Sequence, residues 1–163
     1  MLKEIFVSQA RKAVPVYRQF EAEARKDGAR FIEAEHVLLA LAASDTDAGR
    51  LLVEAGLDHQ RLAAALRDER RQSLAFAGVQ HSVENLTAAM ESDRPIALGT
   101  SAKAALGRAM HARHGDSSRR RRLDGVDFLV GILAAELGTV PRALALAAVD
   151  RRALIARVRA RER

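Results

Sequence analysis

Cysteine is absent from this 163-residue chain, which excludes disulfides and thiolate metal sites. Tryptophan is also absent, and only one tyrosine and five phenylalanines are present. With so few aromatics, the apolar 48% rests mainly on Leu, Ala, Val and Ile, a mixture that suits close helix packing better than a strand-rich sandwich. No apolar run approaches the roughly 20 residues needed to cross a bilayer. The opening Met1-Leu2-Lys3-Glu4-Ile5 lacks the basic stretch and apolar run of a secretory signal. The expectation is a soluble, cytoplasmic protein without membrane contact. Ser-His-Asp arrangements, catalytic carboxylate pairs and Gly-rich phosphate loops are missing too, so we expect no enzyme and no cofactor. His111 and His114 share a helix face near Asp116, but this spacing is common by chance and lacks further ligands, so no dedicated metal site is expected.

What is present is an excess of positive charge and a helical rhythm. Twenty-seven basic residues against 21 acidic ones give a formal charge of +6. Arg119-Arg122 form a basic run that could meet nucleic-acid phosphates, the alternative functional reading. No aromatics interleave with it to stack bases, and a solvated loop that attracts acidic proteins is the plainer reading.

Apolar residues recur at helical spacing throughout. Ala10, Ala13, Val14, Tyr17, Phe20 and Ala24 mark a first helix, with Pro15 inside the pattern and Gly28 as its stop. Val37, Leu38 and Leu41 mark a short buried helix. Asp45 or Thr46 caps a third running to Ala55-Gly56, and Asp58 caps a fourth. Further helices are expected from Ser101 to about Arg113, Gly125 to Glu136, Thr139 to Ala148, and Asp150 onward. Strand-like alternation is lacking, so the expected fold class is all-α.

The same scheme occurs twice. Ile32 to Leu41 reappears, altered but readable, as Leu123 to Ile132, at an offset of 91 residues. Ala48 to Asp58 answers to Val140 to Asp150 at an offset of 92. The expected organisation is a first unit at 1–72, a linker with a possible short helix at 73–99, and a second, divergent unit at 100–163.

The segment Phe31-Ile32-Glu33-Ala34-Glu35-His36-Val37-Leu38-Leu39-Ala40-Leu41, preceded by a helix ending Glu23-Ala24-Arg25 and then Gly28, resembles the Clp N-terminal repeat. Glu35-His36 stands at that family's Glu-His pair, and Ala48 to Asp58 resembles its downstream stretch. The likeness spans about Phe6 to Leu66 and Gly99 to Val158. It implies two pseudo-symmetric four-helix repeats in a single compact bundle. It also implies the role of the receptor domain of ClpC- or ClpA-type unfoldases, which receives client and adaptor proteins. The AAA+ modules of those proteins are not represented in these residues, where no Gly-x-x-x-x-Gly-Lys-Ser/Thr occurs. The implied function is a non-catalytic protein- or peptide-binding module, an accessory, adaptor or decoy of the Clp protease system.

Some members of that family bind phosphoarginine through the Glu of the pair, which here is Glu35. A carboxylate matches the planar fork of a guanidinium through two parallel hydrogen bonds. Glu33 adds a second carboxylate nearby, which is expected to repel a phosphate. By the 91-residue register, Val126 stands for Glu35 and Asp127 for His36, so no second such site is expected. Two roles are open for the Glu-His pair. Both residues can be structural, or His36 can be structural while Glu35 faces a ligand. The family's groove for adaptors and cyclic peptides implies further contacts at Phe6, Arg11 and Val14, although Phe6 and Val14 also suit a core.

Overall fold

Eight helices form among the described residues, and their ends follow local chemistry. The computed structural model describes residues 17–79, 95–114 and 123–161. In chain order the helices are α1 (Tyr17–Lys26), α2 (Ala34–Ala42), α3 (Asp47–Glu54), α4 (His59–Phe76), α5 (Thr100–His114), α6 (Gly125–Leu133), α7 (Thr139–Leu146) and α8 (Arg151–Arg161). Among the described residues the nearest thing to a sheet is one isolated parallel bridge between Ile32 and Leu98. The fold is all-α.

The caps fall where short polar side chains stand before apolar runs. Thr46 accepts from the Gly49 N–H, and Asp58 accepts from the Arg61 N–H at 2.8 Å. Asp150 accepts from the N–H groups of Arg152 and Ala153 in the same way. N-cap positions recur through the two halves as Glu33 and Asp124, then Thr46 and Gly138. Asp58 and Asp150 complete the series, so the spacings of 91 and 92 residues seen in the sequence reappear in the backbone.

Helix stops recur as well. Gly56 ends α3 with φ at +72°, and the Leu57 N–H closes back on the Leu52 carbonyl at 2.9 Å. Ala148 ends α7 with φ at +56°, and the Val149 N–H closes on the Leu144 carbonyl at 3.0 Å. Both stops are left-handed, but the second carries Ala148 where the first has a glycine, which adopts this conformation without a Cβ clash.

Two apolar helices, α2 and α6, occupy the centre. Helix α2 touches α1, α3, α4, α5, α6 and α7, while α6 touches α2, α3, α5, α7 and α8. Almost every residue of each is buried. Phe20 of α1 and Phe128 of α6 meet edge to face at 5.8 Å, inside one continuous core of Leu, Ala, Val and Ile drawn from both halves. Gly131 lets α6 lie close on α5, since a Cβ there would sit 2.1 Å from the Ala105 carbonyl oxygen.

Two elements depart from expectation. Helix α6 ends at Leu133 rather than Glu136, because the Arg151 guanidinium takes the carbonyls of Leu133 and Ala135. Helix α4 continues to Phe76, beyond the boundary expected at residue 72. The short helix suggested near Leu86, the basic run Arg119-Arg122 and Pro15 lie outside the described residues. No described helix is long and apolar enough to cross a membrane.

The left-handed stops give a paired expectation. Ala148→Gly should stabilise the fold by about 1 kcal/mol, and Gly56→Ala should destabilise it by about as much. Chemical denaturation of both variants against the parent checks the signs.

Candidate functional site

The site is built from the first turn of α2. Its start is buried, so its free N–H groups need partners inside the protein. The His36 ring turns back and its Nδ1 accepts from the Glu33 N–H at 2.9 Å. Ser101, from the first turn of α5, accepts through Oγ from the Ala34 N–H at 2.8 Å. The Glu33 carboxylate reaches across to Ser101, accepting from its N–H at 2.9 Å and from its hydroxyl at 2.6 Å. Gly99 makes room for it, since a Cβ there would lie 1.9 Å from Glu33 Oε1. The Ile32 N–H donates to the Ala97 carbonyl, and the Gly99 N–H donates to the Ile32 carbonyl. Residues 97–101 are thereby joined to the start of α2.

The second half solves the same problem with different residues. Asp124 Oδ1 accepts from the N–H groups of Val126 and Asp127, and Asp127 Oδ2 accepts from the Asp124 N–H at 2.9 Å. Asp127 therefore does the work of His36, and Val126 stands where Glu35 stands. This is the register that the 91-residue repeat implies.

His36 is engaged at both nitrogens. Because Nδ1 accepts, the proton resides on Nε2, which donates to Asp27 Oδ2 at 3.3 Å. Only 2% of the residue is exposed, so its part in any contact is to hold other groups in place. Asp27, just past the end of α1, is also gripped by Arg70 of α4. The two guanidinium nitrogens donate to Oδ1 at 2.9 Å and Oδ2 at 2.6 Å, a bidentate pair. Burial alone would raise the Asp27 carboxyl, but hydrogen bonds from His36 and Arg70, with the charge of Arg70, hold it far below the usual carboxylate range. Arg70 is pushed the other way, chiefly by its hydrogen bonds to Asp27. Next to it, Glu23 is buried, which raises its carboxyl; hydrogen bonds from Lys26 and His59 outweigh this and lower it.

Glu35 behaves differently. It is half-buried, and it makes no hydrogen bond or ion pair. Among the described residues, Glu136 before α7 also makes no hydrogen bond or ion pair, but it is exposed. Glu35 lines an open cleft of about 180 Å³ together with Glu23, Lys26, Asp27, His36, Arg67 and Arg70, the apolar Leu39, Ala63 and Leu66, and Thr139 from the second half. Glu33, in contrast, is drawn away to Ser101 and does not line the cleft. The repulsion expected of its carboxylate is therefore turned away from Glu35. The cleft thus combines an open acceptor, apolar side chains and exposed cations.

Phe6, Arg11 and Val14 lie outside the described residues, as do Asp116 and the side chain of His114. Among the described residues no group of three potential metal ligands converges. The sequence reading missed Asp27, Arg67, Arg70 and Thr139. Asp27 carried a weak signal, as an acidic residue immediately before the Gly28 stop.

No protein-family model and no curated protein matches the chain. A solved structure from preliminary structural investigations of a malarial protein secretion system is similar, with a TM-score of 0.61 and 20% identity over 90% of this chain and 88% of that one. At that identity the likeness concerns the fold alone.

Asp27 sets an acid limb. Its unfolded value is near 3.8 and its folded value lies well below, so the unfolded chain takes up the proton first as pH falls. Its contribution is whole above that value and shrinks below it. The stability advantage of the parent over Asp27→Asn should be largest near neutrality and diminish through pH 3.8 and below. Urea unfolding at a series of pH values measures this.

Proposed function

We propose that this chain is a non-catalytic binding module that receives protein or peptide segments in the cleft between α1, α2, α4 and the start of α7. The observation that carries this reading is the unpartnered Glu35 carboxylate in a cleft that also exposes apolar Leu39, Ala63 and Leu66. A buried or half-buried acid normally finds a donor, and here every neighbouring acid has one. The missing donor is supplied by a ligand, namely a guanidinium or ammonium on another polypeptide. Such a charge-assisted contact contributes about 1.5–3 kcal/mol when shielded from water.

The resemblance to the Clp N-terminal repeat supports the same class of partner: client or adaptor proteins of a Clp-type protease system, met as accessory, adaptor or decoy. A phosphoarginine side chain is one candidate ligand. Glu35 suits its guanidinium, exposed Arg67 makes no hydrogen bond or ion pair of its own, and Glu33 is turned aside. The nucleic-acid alternative gains little from the described residues. Arg50, Arg70, Arg71, Arg142 and Arg161 already hold acidic side chains, and Arg61 and Arg151 hold backbone carbonyls.

Probing an array of random peptides with the purified chain tests this reading. Binding should concentrate on peptides bearing accessible arginine or lysine, and Glu35→Gln should weaken it about tenfold or more. Capture unaffected by Glu35→Gln would refute the assignment. Binding restricted to nucleic acid, with a steep loss in salt, would favour the alternative.

A further inference from the structure

Arg70 is a built-in rival for the Glu35 carboxylate. Both residues line the same cleft, and the Glu35 charge already acts on the Arg70 guanidinium without any hydrogen bond between them. Arginine carries a planar fork that matches a carboxylate. Arg67, on the same wall, is unheld and still leaves Glu35 open, whereas Arg70 is the cation on which the Glu35 charge acts; released, it competes for the place where a ligand's cation would dock. What prevents this is Asp27, which occupies both forks of the guanidinium at 2.9 and 2.6 Å.

We infer that Asp27 is a positioning residue that ties Arg70 down and so keeps Glu35 open for a cationic ligand. Asp27 is itself fixed from behind, because the buried His36 donates to its Oδ2. The order of support runs from the α2 cap through His36 to Asp27, then Arg70, and ends at an open Glu35. Arg67, also on the cleft wall, makes no hydrogen bond or ion pair and is not part of this restraint. Lys26, the remaining cation there, is held by Glu23 at 2.8 Å. Loss of Asp27 therefore converts the cleft from open to self-occupied, without touching the residue that meets the ligand.

This inference rests on the reading that Glu35 receives a cation, and the two can be separated. The variants are Asp27→Asn, Arg70→Ala and the two combined. Asn at position 27 still offers His36 an acceptor, so the variant folds, though less stably than the parent. The probe is N-acetyl-L-arginine amide, followed by residue-resolved NMR. Asp27→Asn should weaken it about tenfold, while Arg70→Ala and the combined variant should bind at least as well as the parent. A second readout needs no ligand. In Asp27→Asn the Arg70 guanidinium protons should show nuclear Overhauser contacts to the Glu35 side chain that are absent from the parent, since only release from Asp27 brings Arg70 onto Glu35. Absence of those contacts in Asp27→Asn would overturn the inference whether or not the probe binds. Their presence with no binding by the parent would preserve the restraint and remove the proposed ligand instead.

Discussion

A helix that starts inside a protein must find acceptors for N–H groups that water would otherwise satisfy. Helix α2 starts this way, at the centre of the bundle, and much of the architecture answers that requirement. His36 folds back onto the Glu33 N–H, Ser101 takes the Ala34 N–H, and Glu33 crosses to Ser101. Each bond replaces a penalty of about 1–3 kcal/mol for a buried unpaired polar group. The bonds to Ser101 also join the second half of the chain to the first. Because position 36 faces back toward the cap, position 35 is turned about a quarter of a helical circle away, into the cleft. The open carboxylate is thus a by-product of how the helix is begun.

The second half shows what this arrangement does and does not require. Asp124 and Asp127 begin α6 with a reciprocal cap, so the structural task survives the change of residues. The outward position has become Val126, which has no charge to offer. Ala148 likewise retains a left-handed stop that Gly56 adopts more easily. The two halves thus share cap and stop geometry while differing in side-chain chemistry, and the open carboxylate belongs to the first half. Thr139 is the second half's contribution to the cleft.

Much of this was legible in the sequence because it depends on neighbours along the chain. Thr46, Asp58 and Asp150 sit before apolar runs and cap them, and Gly28 follows α1 with φ at +64°. The 91-residue register placed Asp127 opposite His36 for the same reason, since capping acts over three residues. Contacts between distant segments were not legible. Arg70 meets Asp27 across 43 positions, and Ser101 meets Glu33 across 68. Nothing in local spacing distinguishes Arg70 from the exposed arginines beside it. The same limit explains α6, whose last expected turn is opened by Arg151, 18 residues beyond Leu133.

The point at which a basic peptide touches this protein is the decisive observable. A residue-resolved NMR titration with a short unstructured peptide carrying a single arginine would show it. The expected result is a set of saturable shifts centred on Glu35, Leu39, Leu66, Arg67 and Thr139, with the amides around Val126 unmoved. Shifts centred on α8, or an equal response around Val126, would contradict the claim that the start of α2 is what opens the cleft to a ligand.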